Sequence, residues 1–522
     1  MRSLVVVLSL AACTADAPSR PPPLAPLPPP ASVETSRFRD ADACAQCHLV
    51  DDTTSVLHDA TGTNVSPVLL WRSSLMALAA RDPYYLAVFS EELAAAPSHA
   101  PTIEPTCTRC HAPAGSEELA ENSAHLTFAD LTTSTDPAPL LGRGGVTCTL
   151  CHQIDPANLG QDASFTGGFT VGYGRTVYGR YGNPVTNPMQ LIVNYTPALG
   201  THIASSALCA TCHTVIVPVG ATQVVEQATF LEWRASAFPG QSKPCQTCHV
   251  PTNDAANNAI STIVANFSTA ALSPRMPVGE HVFVGGNSYV LSLLADAPDW
   301  SNANVPAAEL MASAARDDAH LATAAKLQVV STSRDPDGTL VLVVRVINQT
   351  GHKLPTGYPS RRVWLHVTAG SFESGRADTL VAQQPHRDVI TSGDQAQIWE
   401  AVLVDASGVP THRTLDAHGY GKDDRILPAG FAPTGTDVTR TAPVGVAGDA
   451  SFVAGQDDVT YRISGVSAGT PIAIELLYEA VRPDIVDAID AAATPAGTRF
   501  ADLAHARPVT PVVLATASAT AP

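Results

Sequence analysis

Ten of the eleven cysteines fall into five pairs with two residues between them, and a histidine follows the second cysteine of every pair. The motifs are Cys44-Ala-Gln-Cys47-His48, Cys107-Thr-Arg-Cys110-His111, Cys148-Thr-Leu-Cys151-His152, Cys209-Ala-Thr-Cys212-His213 and Cys245-Gln-Thr-Cys248-His249. At this composition a chain of 522 residues would carry about 0.01 such motifs by chance, so five are no accident. Each has the C-x-x-C-H spacing of covalent c-type haem attachment. Two thiols one helical turn apart can add to the two vinyl groups on one haem edge, and the histidine that follows lies beneath the iron as proximal ligand. A thioredoxin-like reading needs one motif in a βαβ setting, and zinc does not require a constant trailing histidine.

The motifs are spread over Cys44–His249 at roughly one per 40 residues, a density at which porphyrins form much of the core. That spacing predicts five covalent haems close enough to exchange electrons, and it accounts for an aromatic content of only 6%. The formal charge of −18 argues against nucleic acid as a partner. There are only four lysines (Lys243, Lys326, Lys353 and Lys422), too few for a basic docking ring.

Met1–Ser3 is a short positive segment and Leu4–Leu10 is apolar. Leu10-Ala11-Ala12-Cys13 then resembles a bacterial lipobox, in which the thiol takes a diacylglycerol and the peptidase cuts before it. Cys13 is also the one cysteine outside the pairs, although an ordinary secretory signal remains the alternative. The expectation is a leader over 1–12, then a lipidated Cys13 and a proline-rich linker over 13–36. Residues 17–32, APSRPPPLAPLPPPAS, are expected to form a semi-rigid spacer unable to join a core. The implied address is an exported bacterial lipoprotein of the outer membrane, on its periplasmic or cell-surface face.

Coarse patterning predicts one helix over 67–81, a second capped by Asp82-Pro83 and running to about Ala96, and a third over 222–236. Two of these carry Trp71-x-x-Ser74-x-Met76 and Trp233-x-x-Ser236-x-Phe238. With ARDPY at 80–84, GVTCTLCHQI at 145–154, EQATFLEWRASAFPGQSKPCQTC at 226–248 and GEHVFVGGN at 279–287, the chain resembles multihaem cytochromes of the cytochrome c-552/4 type. There the helix reads W-x-x-S-x-H and its histidine is a distal haem ligand. The resemblance puts Met76 and Phe238 at those positions. Met76 can ligate through its thioether or serve as a core methionine, and Phe238 cannot ligate at all. It also implies His202, seven residues before Cys209, and His281 as distal ligands. His58, His99 and His125 have only nearness to a motif in their favour.

After about Ala325 cysteine disappears and β-branched runs begin: 327–333, 339–348, 362–368, 397–404 and 471–478. The expected fold class is therefore α+β and multidomain. A loop-rich helical pentahaem cytochrome c domain (37–325) precedes an antiparallel β-sandwich-like domain (326–480) and a helix/strand extension (481–522). NQTGHKLPTGYPSRR at 348–362 and KDDRILPAGF at 422–431 resemble the β-domain that follows the haem domain in such cytochromes. His352, in a Gly/Pro-rich loop, and more weakly His386, after Pro385, are candidates to reach a haem across the boundary.

Together these readings predict an electron-transfer cytochrome with five haem c groups and a lipid anchor. Its partners would be other cytochromes or a membrane electron-transfer complex. The alternative is a multihaem oxidoreductase with one open-coordinate haem acting on a small nitrogen or sulfur oxyanion. The carrier is preferred, because no C-x-x-C-K motif of the kind that marks multihaem nitrite reductases is present.

Overall fold

A computed structural model describes residues 20–51, 53–220, 222–267, 272–380 and 384–522. The expected leader and Cys13 lie outside the described residues. Helices and irregular loops dominate up to helix Ala307–Leu321, and strands dominate from Ala325 onward. Among the described residues no helix is long and apolar enough to cross a membrane.

Helix Pro83–Ala95 starts where the sequence places it. Asp82 caps it by accepting the amides of Tyr84 (2.8 Å) and Tyr85 (3.2 Å), and Pro83 occupies the first turn. The helix expected over 67–81 is broken into Pro67–Arg72 and Leu75–Leu78. At the break the Ser74 hydroxyl donates to the Trp71 carbonyl (2.7 Å), a local bond that competes with the helical ladder. The helix expected over 222–236 is only Thr229–Arg234. Its first half is a strand, because the β-branched TQVVEQ run pairs with VIVPV just before it.

Four short strands belong to the first half: β1 (Thr176–Gly179) pairs in parallel with β2 (Thr196–Leu199), and β3 (Val215–Val219) pairs antiparallel with β4 (Thr222–Gln227). The second half holds β5 (Ala325–Arg334), β6 (Leu340–Asn348), β7 (Arg362–Ala369), β8 (Phe372–Ser374), β9 (Val389–Ile390) and β10 (Ile398–Val404). It continues with β11 (Pro410–Thr411), β12 (Gly419–Asp423), β13 (Gln456–Ile463), β14 (Pro471–Glu479) and β15 (Val512–Thr520). One sheet runs β11-β10-β7-β14-β15, with β12 on β10 and β8 on β7; the other runs β5-β6-β13-β9. Every pairing in these two sheets is antiparallel except β9 with β13.

Alternation along the strands makes the core. Leu340, Leu342, Val344 and Val346 of β6 share it with Val363, Leu365 and Val367 of β7 and with Ile472, Ile474 and Leu476 of β14. Ala87 of helix Pro83–Ala95 and Leu293 of helix Ser288–Asp296 enter the same core. The helical half and the sheet half are therefore joined by shared apolar burial.

The proline-rich segment departs from the expected spacer. From residue 20 it lies extended along the body: the Leu24 amide donates to the Pro495 carbonyl (2.7 Å), and the Leu27 amide donates to the Trp300 carbonyl (2.9 Å). The Arg81 guanidinium holds the Pro28 carbonyl (3.1 Å), and Leu27 is 1% exposed in a core with Trp71, Leu291 and Trp300. Polyproline geometry removes internal hydrogen bonds but leaves carbonyls free to accept, and leucines between prolines supply the apolar contact.

Candidate functional site

All five motifs sit at the ends of short helices: Asp42–His48, Ala100–His111, Cys148–Cys151, Ser206–His213 and Gln246–His249. A helical turn sets each cysteine pair on one face with the histidine next to it. The ten cysteines and five motif histidines all line one continuous void of about 1120 Å³, whose other walls are largely apolar. None of the ten cysteines is in a disulfide.

Thiols from different motifs meet across this void. Cys44 lies within interaction range of Cys148, Cys110 of Cys212, and Cys209 of Cys245. Cys151 lies within electrostatic reach of Cys212, and burial, reinforced by that neighbour, pushes its thiol up to about 12. The first motif therefore adjoins the third and the third adjoins the fourth, while the fourth also adjoins the second and the fifth.

Four of the five motif histidines are oriented by backbone carbonyls. The Nδ1 atom of His48 lies 2.8 Å from the Val264 oxygen, that of His111 3.2 Å from Ala79, that of His152 2.6 Å from Tyr178, and that of His249 2.6 Å from Val284. A carbonyl only accepts, so Nδ1 carries the proton and Nε2 keeps its lone pair for a metal. Burial pushes His111 and His213 down to about 4, which keeps both rings neutral.

Two expected distal histidines face motif histidines at a telling separation. The His281 ring centre is 6.3 Å from that of His152 with planes 25° apart, and the His352 ring centre is 6.5 Å from that of His249 at 24°. An iron between two imidazoles, with metal–nitrogen bonds of about 2.0 Å and about 1.1 Å more to each ring centre, needs about 6.2 Å. His281 and His352 also turn Nδ1 to a carbonyl, those of Gly279 (3.0 Å) and Lys353 (2.9 Å). Burial pushes both down to about 4. The residues present therefore fit haem, and the spacings of His152 with His281 and of His249 with His352 would suit an iron held between two imidazoles.

The His352 loop is held by a charged cluster that the sequence reading did not single out. Glu232 Oε2 accepts the Lys353 amide (3.1 Å) and the Thr356 hydroxyl (2.6 Å). Lys353 Nζ donates to Asp423 (2.6 Å), which also takes two bonds from Arg425 (2.7 and 2.8 Å). Arg425 Nη1 lies 3.0 Å from Glu232 Oε1, close enough for ion pairing though out of line for a hydrogen bond. Burial pushes the Asp423 carboxyl up, but Arg425 and Lys353 together outweigh this and hold it at about 2. Gly351 must be glycine here, since a Cβ would come within 2.9 Å of the Phe238 ring. The only sequence signals were the charges in FLEW and KDDR.

Other expected ligands are placed differently. Met76 lines the void, packs against the Leu78–Leu291 core and accepts the Val146 amide on its carbonyl (2.9 Å), so its side chain stands where either role is open. His202 is not among the side chains lining the void. Its Nε2 bonds the Ile154 carbonyl (2.9 Å), and its ring meets Tyr178 edge-on. His386 is also away from the void. Its Nδ1 bonds Asp424 (3.0 Å) and its Nε2 bonds Asp449 (2.8 Å), so both nitrogens are taken within the β-half and a haem-ligand role is withdrawn. Conversely His320, at the end of helix Ala307–Leu321, lines the void 5.3 Å from the His249 ring, and His99 lines it beside the second motif.

No family model matches the chain, and no curated protein matches it. Among solved structures, the fold is similar to that of a penta-haem cytochrome c552 from Thermochromatium tepidum, with a TM-score of 0.51 and 18% identity over 93% of this chain and 99% of that one.

Proposed function

We propose that this chain is an exported multihaem c-type cytochrome that binds five haems covalently and transfers electrons between redox partner proteins. The observation that carries this reading is the convergence of all five C-x-x-C-H motifs on one void, with four motif histidines turned by backbone carbonyls so that Nε2 is free. Covalently held haem would supply reversible one-electron iron chemistry, with potentials set by axial ligands, burial and hydrogen bonds. The chain's own part is to hold neutral imidazoles in fixed tautomers, exclude water with apolar walls, and set the five attachment sites side by side. Thiol contacts from the first motif through the third to the fourth, and from there to the second and fifth, support a connected series.

Lipidation of Cys13 and an outer-membrane location on the periplasmic or cell-surface face belong to this proposal and rest on the Leu10-Ala11-Ala12-Cys13 pattern. One observation favours the oxidoreductase reading as a second possibility. The Tyr85 ring lines the void and stacks on His111 at 3.7 Å, and its buried hydroxyl has no hydrogen-bond partner among the described residues, which leaves a donor unused beside the second motif.

The deciding experiment is a pyridine haemochrome assay with intact-protein mass. Five haems per chain are expected, and two or fewer would overturn the proposal. Ferric spectra then separate the two readings: all low-spin iron indicates a carrier, whereas a high-spin fraction that binds nitrite indicates an enzyme. Palmitate labelling that survives Cys13→Ser would refute the lipid anchor.

A further inference from the structure

The β-half contains a histidine–carboxylate constellation separate from the void. His386 Nε2 lies 2.8 Å from Asp449 Oδ2 and 3.9 Å from Asp457 Oδ2, and the three donor atoms fall within 4.8 Å of one another. Ligands at about 2.1 Å from a common ion lie about 3.0 to 3.4 Å apart in octahedral or tetrahedral geometry, so the wider separations would close by about 0.5 to 1.4 Å around an ion, with water filling the remaining positions. All three side chains are nearly buried, at 5%, 6% and 1% exposure.

The surroundings fix each group in a ligating orientation. Asp449 Oδ1 takes the Ser451 amide (2.7 Å), the Ser451 hydroxyl (2.6 Å) and the Phe452 amide (3.3 Å), leaving Oδ2 directed at the ring. Asp457 Oδ1 lies 3.2 Å from the Ser451 hydroxyl, while its Oδ2 is steadied by the Trp399 indole (2.8 Å). Behind the ring, Nδ1 pairs with Asp424 Oδ2 (3.0 Å), which is itself held by Gln397 (3.1 Å) and Lys422 (3.4 Å). Asp424 Oδ1 accepts the Glu400 amide (2.9 Å). A carboxylate behind Nδ1 that orients Nε2 is the outer-shell arrangement found at metal-bound histidines.

Charge points the same way. Lys422 is shared between Asp424 (3.4 Å) and Glu400 (3.3 Å), which leaves Asp449 and Asp457 as two buried carboxylates around one imidazole. A neutral imidazole with a divalent ion balances them fully, whereas a histidinium leaves one negative charge uncompensated. One nitrogen and two carboxylate oxygens suit zinc or manganese.

We infer that His386, Asp449 and Asp457 form a site for one divalent transition-metal ion, with Asp424 as the positioning residue behind His386. The full haem-loaded protein, dialysed against a chelator and then against Zn²⁺ or Mn²⁺, should retain one added metal per chain by elemental mass spectrometry, with haem iron as the internal count. Asp449→Asn should abolish retention. Asp424→Asn should weaken it by about 10- to 100-fold without changing the haem spectrum. In the wild-type protein alone, added Zn²⁺ should raise the thermal midpoint and chelator should reverse the rise, so the inference stays testable even if a variant misfolds. Iron as the sole bound metal, no midpoint shift, or retention equal in Asp449→Asn would overturn it and leave a histidinium ion pair.

Discussion

Glu232→Gln removes one of four charges buried where the helical half meets the β-half. Glu232, Lys353, Asp423 and Arg425 expose 0%, 0%, 2% and 6% of their side chains and together carry no net charge. The substitution leaves one uncompensated positive charge in that setting, at a cost of about 3 to 5 kcal/mol. Glutamine's carbonyl can still accept from the Lys353 amide and the Thr356 hydroxyl, so Glu232→Gln should fall at the lower end. Glu232→Ala loses those bonds as well and should cost about 1 to 2 kcal/mol more. The assay is guanidinium unfolding of the haem-loaded protein at pH 7, read as a fall in midpoint at constant slope. Arg425→Met unbalances the cluster in the opposite direction, so the double variant Glu232→Gln/Arg425→Met, which keeps only the neutral Lys353–Asp423 pair, should be less destabilised than the sum of the singles by about 1 kcal/mol or more. A loss below about 1 kcal/mol for Glu232→Gln, or strictly additive singles, would show that the cluster does not hold the His352 loop electrostatically.

Glu92 accepts the Thr414 and Leu415 amides, and burial pushes its carboxyl up to about 7. The folded chain then keeps a proton that the unfolded chain releases above its ordinary 4.5, so stability falls as pH rises between those values, by up to about 1.4 kcal/mol per pH unit. Glu92→Gln should flatten that slope in unfolding measured from pH 5 to 7, and an unchanged slope would exclude Glu92 as its source. Leu27→Ala should cost about 2 to 3 kcal/mol in denaturant unfolding, whereas a segment that merely spaced the body from a lipid would show no loss. His281→Ala and His352→Ala should each convert about one iron in five from low to high spin in ferric spectra, and an unchanged spectrum in either would break that axial pair.

The C-x-x-C-H spacing was fully legible, because it is fixed within one helical turn, and the structure brings all five motifs onto one void. Five of the predicted strand runs (327–333, 339–348, 362–368, 397–404 and 471–478) fall on β5, β6, β7, β10 and β14, since alternation along a half-buried strand is local. The placement of a second histidine opposite a motif histidine is not local. His281 and His352 stand opposite His152 and His249 through contacts more than 100 residues apart in sequence, and only resemblance or a stiff loop hinted at them. His386, placed directly after Pro385, looked much like His352 in its Gly/Pro-rich loop, yet it is captured by Asp424 and Asp449. The 222–236 segment misled because its apolar spacing suits either period, and pairing with the preceding VIVPV decided the outcome.

Docking of the proline-rich segment changes how the body would be carried. With Cys13 lipidated as proposed, seven residues of chain separate the lipid from Arg20, and a chain of that length reaches at most about 25 Å. Arg20 is already bonded to Asp490 on helix Pro483–Ala491 and to Asp502 on helix Pro495–Ala506. Those helices would therefore face the bilayer. The protein would meet its partners by gliding in the plane of the membrane with one side always turned outward, and could not swing toward them on a leash.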